Sequence, residues 1–156
     1  MKFTHLDSAG QARMVDVTDK QPTKRAATAS ATVVCDPEIL KRIASGEMPK
    51  GDVLAVARIA GIAAAKRTPE LLPLAHVIGV HGAVIDLALG PESIEVVATV
   101  RTADRTGVEM EALTAASVAA LALIDMVKGL DRHAHIREVK LLAKEGGRSG
   151  SWRRDA

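Results

Sequence analysis

One segment, residues 110 to 128, limits the possible folds of this chain more than any other. It is alanine-rich, almost uncharged after Glu111, and places Leu113, Ala116, Ala120, Leu121 and Ile124 at helical spacing. Alanine loses no side-chain rotamers in a helix, so this composition predicts the longest helix of the chain. From Arg25 to Val34 the period changes to two: Ala27, Ala29, Ala31 and Val33 fall on one face, Thr28, Ser30 and Thr32 on the other. That alternation predicts a half-buried strand.

Between these, the punctuation is explicit. Asp36-Pro37-Glu38 supplies an N-cap, a first-turn proline and an acid, and Gly46 a C-cap, giving a helix over 37–45. Asp52 caps a second helix over 52–66, with apolar residues at 53, 56, 59, 60 and 63, and Thr68-Pro69 ends it. Leu71 to His76 reads as a loop. Strands over 83–89 and 94–102 flank a Gly90–Ser93 turn, and a last strand covers 136–143 before a glycine-rich tail. The order is strand, two helices, two strands, long helix, strand. It predicts an α+β, ferredoxin-like sandwich, an antiparallel sheet with helices on one face. A single domain over 1–156 is expected, with a mobile tail from about 146. Stripes of small residues, Ala57/Gly61/Ala65 and Ala112/Ala116/Ala120, admit close approach of another backbone, from within the chain or from a second subunit.

Composition narrows function. With 47% hydrophobic and 26% charged residues and a net charge of +2, the chain is neither disordered nor markedly basic. Phe3 and Trp152 are its only aromatic residues, which argues against the stacking platforms that bind single-stranded nucleic acid. A lone cysteine, Cys35, cannot close an intramolecular disulfide and suits a reducing, cytoplasmic setting. No secretory h-region opens the chain, and Ala112 to Ile124 looks too short for a membrane span.

Several residues could carry chemistry. Asp125 and Lys128 share a helix face at i and i+3, as an exposed ion pair or as a proton donor tuned by partial burial. His76 follows a proline in a loop, presented for binding or held by a structural hydrogen bond. Lys50, Lys66-Arg67, Lys144 and Arg148 stand at element boundaries or beside glycines, where anions can meet cations and backbone amides together, although solvated charge accounts for each alone. His133 and His135 lack a third metal ligand at a diagnostic spacing, and no phosphate-loop or dinucleotide fingerprint is present.

Longer strings carry more information. Phe3-Thr4-His5-Leu6-Asp7, Met14-Val15-Asp16-Val17-Thr18, Lys50-Gly51-Asp52-Val53 and Ala57-Arg58-Ile59-Ala60-Gly61-Ile62 are followed by Ala65-Lys66-Arg67-Thr68 and Gly107-Val108-Glu109-Met110-Glu111-Ala112-Leu113-Thr114. Asp125-Met126-x-Lys128 and Leu141-Leu142-Ala143-Lys144-x-Gly146-Gly147-x-Ser149-Gly150 complete the series. In this order, from about residue 3 to 150, the chain resembles the cyclic pyranopterin monophosphate synthase family, accessory protein C of molybdenum cofactor biosynthesis.

The resemblance implies a lyase that turns 3',8-cyclo-7,8-dihydroguanosine 5'-triphosphate into cyclic pyranopterin monophosphate, releasing pyrophosphate. It implies no resident metal or redox cofactor, with Mg²⁺ at most accompanying the triphosphate. It also implies an upstream radical-SAM GTP cyclase and a homohexamer, a trimer of dimers with sites at subunit interfaces. By position, Asp125, Lys128 and Lys50 match catalytic residues. Leu74, Ala75, His76, Met110 and Glu111 match substrate-binding segments, and Arg25, Lys66 and Lys144 further cationic positions. Two departures stand out. Ala75 and Val77 replace the usual Cys and Pro around His76, and Ile124 and Val127 replace Tyr and Cys around the Asp-Met-x-Lys string. A non-catalytic ferredoxin-like module binding a nucleotide or metabolite is the competing expectation, and a purely structural oligomer a third.

Overall fold

A computed structural model describes residues 6–155; Phe3, Thr4 and His5 of the first string lie outside them. β1 (Thr23–Val34) is the central strand, and its Ala27, Ala29, Ala31 and Val33 are at most 1% exposed. Asp36 then caps α1 (Pro37–Ser45) by accepting from the Glu38 amide, and Gly46 closes it with φ 75°. Asp52 does the same for α2 (Val53–Ala65), its carboxylate 2.9 Å from the Ala55 amide. Thr68-Pro69, expected only to stop α2, also opens a single turn, α3 (Thr68–Leu71). Proline suits a first helical turn, and the buried Thr68 hydroxyl lies within hydrogen-bonding reach of the Ala64 and Ala65 carbonyls at the end of α2.

The hairpin β2 (Gly82–Leu89) and β3 (Ser93–Asp104) leads into α4 (Glu109–Val127), then β4 (His135–Glu145) and β5 (Trp152–Arg153). Strands run in the order β2-β3-β1-β4-β5, every neighbouring pair antiparallel. The first four, with α2 and α4 packed on the sheet, make the expected α+β, ferredoxin-like arrangement. β5 lies in the segment expected to be a mobile tail. There the Arg154 amide donates to the Leu142 carbonyl at 2.8 Å, and the Arg154 guanidinium lies 5.6 Å from the Trp152 ring centroid.

The small-residue stripes are used within the chain. A Cβ added at Gly61 would lie 3.0 Å from the Ala115 carbonyl oxygen, 3.1 Å from Ile85 Cγ1 and 3.2 Å from Ala119 Cβ. Ala57, Ala65, Ala112, Ala116 and Ala120 are all fully buried. By length and composition α4 could cross a membrane, so the expectation that its apolar run is too short does not hold. Its apolar side is instead the core of the sandwich, packed on β1, β3 and β4.

After α4 the chain is tied back to the start of α1. The Asp131 carboxylate accepts from the Asp36 amide at 2.8 Å, the His133 amide at 2.8 Å and the Ala134 amide at 3.1 Å. These bonds, the first above all, hold its pKa below the usual carboxylate value. Beside it, burial and then the Asp131 charge push the Cys35 thiol up to about 12. The Asp36 amide at the helix start pulls the other way and is outweighed.

Candidate active site

The Leu74–His76 loop and the first turn of α4 face one another across a cavity of about 370 Å³. Leu74, Ala75, His76, Met110 and Glu111 line it, with Val15, Val17 and Lys20 forming a further wall. His76 Nε2 lies 2.6 Å from the Val15 carbonyl oxygen, so the ring is fixed against the segment that covers it. Glu111 is only 3% exposed. Burial pushes its carboxyl pKa up and Glu109 adds to this, while its own backbone amide and the nearby His76 pull the other way. A carboxyl held toward its neutral form can donate as well as accept, which suits recognition of a heterocycle edge.

That burial has a cost that depends on pH. In the folded chain Glu111 keeps its proton to a higher pH than in the unfolded chain. The folded state therefore binds more protons in that window, and stability falls as pH rises from about 4.5 through the raised value. Glu111→Gln is expected to raise Tm by about 2–4 °C at pH 7.5, equivalent to about 1 kcal/mol in a domain of this size, and to leave it unchanged at pH 4. Thermal melts at the two pH values check this.

A second cavity of about 470 Å³ adjoins the first through Lys20, which lines both. Its other walls are Gln21, Thr23, Arg25, Gly147, Arg148 and Ser149. Arg25 is pinned by the main chain, Nε donating to the Asp104 carbonyl at 3.1 Å and Nη2 to the Arg105 carbonyl at 3.3 Å. Gly147, at φ 74°, lies so close over the guanidinium that a Cβ would fall 2.4 Å from Arg25 Nη1. Only glycine fits there on both counts. Lys144 donates to the Ser149 hydroxyl and lies 4.0 Å from the Glu109 carboxylate, between the two cavities.

The third group sits elsewhere. Lys128 Nζ lies 2.6 Å from the Asp125 carboxylate, with side chains 60% and 63% exposed. Lys50 Nζ donates to the Asp125 carbonyl oxygen at 2.7 Å. The Lys128 hydrogen bond, then the charges of Lys128 and Lys50, hold Asp125 below the usual carboxylate pKa. Because α2 runs antiparallel to α4, with Lys50 at Asp125 and Gly61 on Ala115, Lys66 stands at the opposite end, exposed. Glu111 and Asp125 are separated by about 21 Å along α4 at 1.5 Å per residue. Within one chain, Lys50, Asp125 and Lys128 therefore do not meet the His76 cavity. Among the described residues no three His, Cys, Asp or Glu side chains converge as metal ligands.

Comparison with known proteins gives this arrangement its context. The MoaC family matches residues 14–147. The chain belongs to the MoaC family. A curated relative from Geobacter metallireducens is 56% identical over 99% of this chain and 98% of its own length, and is named cyclic pyranopterin monophosphate synthase. Relatives of the same name from Streptomyces avermitilis and Chloroflexus aurantiacus are 54% and 55% identical, covering 98% of this chain and 90% and 95% of their own lengths. The MoaC match spans every candidate residue from Arg25 to Lys144, and also Lys20, which the sequence reading missed. Lys20 follows the Met14–Thr18 string without any local pattern of its own.

Proposed function

We propose that this chain converts 3',8-cyclo-7,8-dihydroguanosine 5'-triphosphate into cyclic pyranopterin monophosphate and pyrophosphate. As a MoaC family member whose curated relatives carry the synthase name over nearly their whole length, it is an enzyme of the lyase type serving molybdenum cofactor biosynthesis. A non-catalytic binding module is not favoured. The observation that carries the reading is the pair of contiguous cavities sharing Lys20. One offers His76 and the buried Glu111 to a heterocycle; the other offers Arg25, Arg148 and glycine backbone to an anionic chain. A substrate with a guanine-derived ring at one end and a triphosphate at the other fits that polarity.

In this reading the cations bind the triphosphate and stabilise charge as a substrate hydroxyl displaces pyrophosphate at the α-phosphate. Lys128 moves a proton during ring opening, with Asp125 orienting it and Lys50 beside them. An exposed ion pair is poorly placed for such work alone, since water screens its charge. The separation along α4 and this exposure both favour a site completed by a second subunit. We accordingly assign the chain to a homohexamer, a trimer of dimers, in which Lys50, Asp125 and Lys128 of one subunit face the His76 cavity of another. The balanced reaction moves no net electrons, so it asks for no redox cofactor, and Mg²⁺ would arrive with the triphosphate. A radical-SAM GTP cyclase would supply the substrate, and a cytoplasmic setting is in keeping with the buried, unpaired Cys35.

The test is to incubate purified protein with the purified cyclic triphosphate, measuring pyrophosphate and the oxidised pterin product together. Equimolar appearance of both is expected. Tight binding without either product would return the chain to the binding-module reading.

A further inference from the structure

We propose that Arg105 is a positioning residue for this site, acting through Lys20. The inference rests on the functional reading above. Among the described residues Lys20 alone borders both cavities, so the placement of its ammonium decides how the ring end and the phosphate end of a ligand are bridged. Its side chain is exposed and its segment belongs to no regular element. What fixes its backbone is a bond from across the fold: Arg105 Nε donates to the Lys20 carbonyl oxygen at 2.9 Å. Within its own segment, the Lys20 amide donates to the Val17 carbonyl at 3.0 Å.

Arg105 itself lines neither cavity. It stands at a corner built to hold its neighbours. Its amide donates to Asp104 Oδ1 at 2.7 Å, while Asp104 Oδ2 accepts from the Gly79 amide at 3.2 Å. Those bonds, led by the Arg105 amide, hold the Asp104 carboxyl below its usual pKa and so keep it ionised and accepting. The carbonyls of the same two residues accept from Arg25. One corner thus sets two of the three cations that line the phosphate cavity: Arg25 through its side chain, Lys20 through its main chain. A guanidinium bound to a carbonyl holds a loop segment in place without presenting its own charge to the ligand.

Arg105→Ala, Lys20→Ala and the double variant separate this role from others. KM for the cyclic triphosphate is expected to rise about fivefold in Arg105→Ala, the size expected for the net contribution of one ordinary hydrogen bond. kcat should stay within twofold and Tm within about 2 °C, since the corner is exposed. In the Lys20→Ala background the same substitution is expected to add nothing, because the residue it positions is gone. An unchanged KM in Arg105→Ala, or a full fivefold loss persisting in the double variant, overturns the proposal; the latter would mean that Arg105 acts by its own charge. Affinity for GTP as an unreactive probe, measured calorimetrically for all four proteins, decides the matter independently of turnover. If the wild type binds GTP but forms no product from the cyclic triphosphate, the synthase reading falls, while the same cycle in GTP affinity still supports or overturns the positioning role.

Discussion

Lys128→Ala is expected to lower kcat by about 10²–10⁴-fold, the range in which a positioned proton-transfer group contributes. The fold should not register the change. The Lys128–Asp125 pair is exposed at the end of α4, and such surface pairs contribute about 0–1 kcal/mol to stability. Tm and subunit assembly should therefore match the wild type while product formation collapses. Lys128→Arg is a sharper control: it retains the charge and a hydrogen bond to Asp125, but a guanidinium does not give up its proton near neutral pH. If either variant kept more than about a tenth of wild-type turnover, Lys128 would be a binding or structural residue and not the proton carrier. Single-turnover measurements would place the loss in chemistry, with substrate affinity changed little.

The second large effect concerns stability. Any side chain added at Gly61 meets the Ala115 carbonyl, Ile85 and Ala119 at once. Gly61→Leu would force α2 away from α4 and from β2, and overpacking of this kind is expected to cost about 3 kcal/mol. That corresponds to a fall in Tm of roughly 6–12 °C for a domain of this size. Gly61→Ala should come out near neutral, because alanine gains up to about 1 kcal/mol of helix propensity over glycine while its methyl meets atoms at 3.0–3.2 Å. Urea titrations of the two variants give the comparison. A leucine accepted without loss would mean that α2 and α4 are not locked together as described.

What could be read in the sequence depended on whether the cause was local. Asp36, Gly46 and Asp52 act within one helical turn, so the ends of α1 and the start of α2 were legible. β1, β2 and β3 showed their two-residue period, and the hairpin its glycine turn. Thr68-Pro69 was ambiguous, because proline marks both the end of one helix and the first turn of another. β5 has no alternation to betray it, since two residues pair only because β4 is already there. The stripe at Ala57, Gly61 and Ala65 announced close packing without naming a partner, which only the fold could supply.

The site was legible by resemblance and by residue type, less so by arrangement. His76, Met110 and Glu111, grouped by the resemblance, line one cavity. Their distance from Lys128 follows from helix length alone, yet a list of candidate residues hides it until the rise per residue is applied. Lys20 was invisible for a different reason: the arginine that fixes it lies 85 positions away.

The length of α4 has a consequence of its own. In the assembly proposed above, with Lys128 at one end and the His76 cavity at the other, this helix would act as a ruler between subunits. Removing one residue from its middle would turn one group about 100° relative to the other and shorten the span by about 1.5 Å, and in that proposed assembly it would spoil every site built across the interface. Removing two full turns would restore the phase yet draw the ends about 10 Å together. Changes in chain length are therefore tolerable in the Gly90–Glu92 turn or beyond β5, where nothing is measured off, but not between Glu109 and Val127.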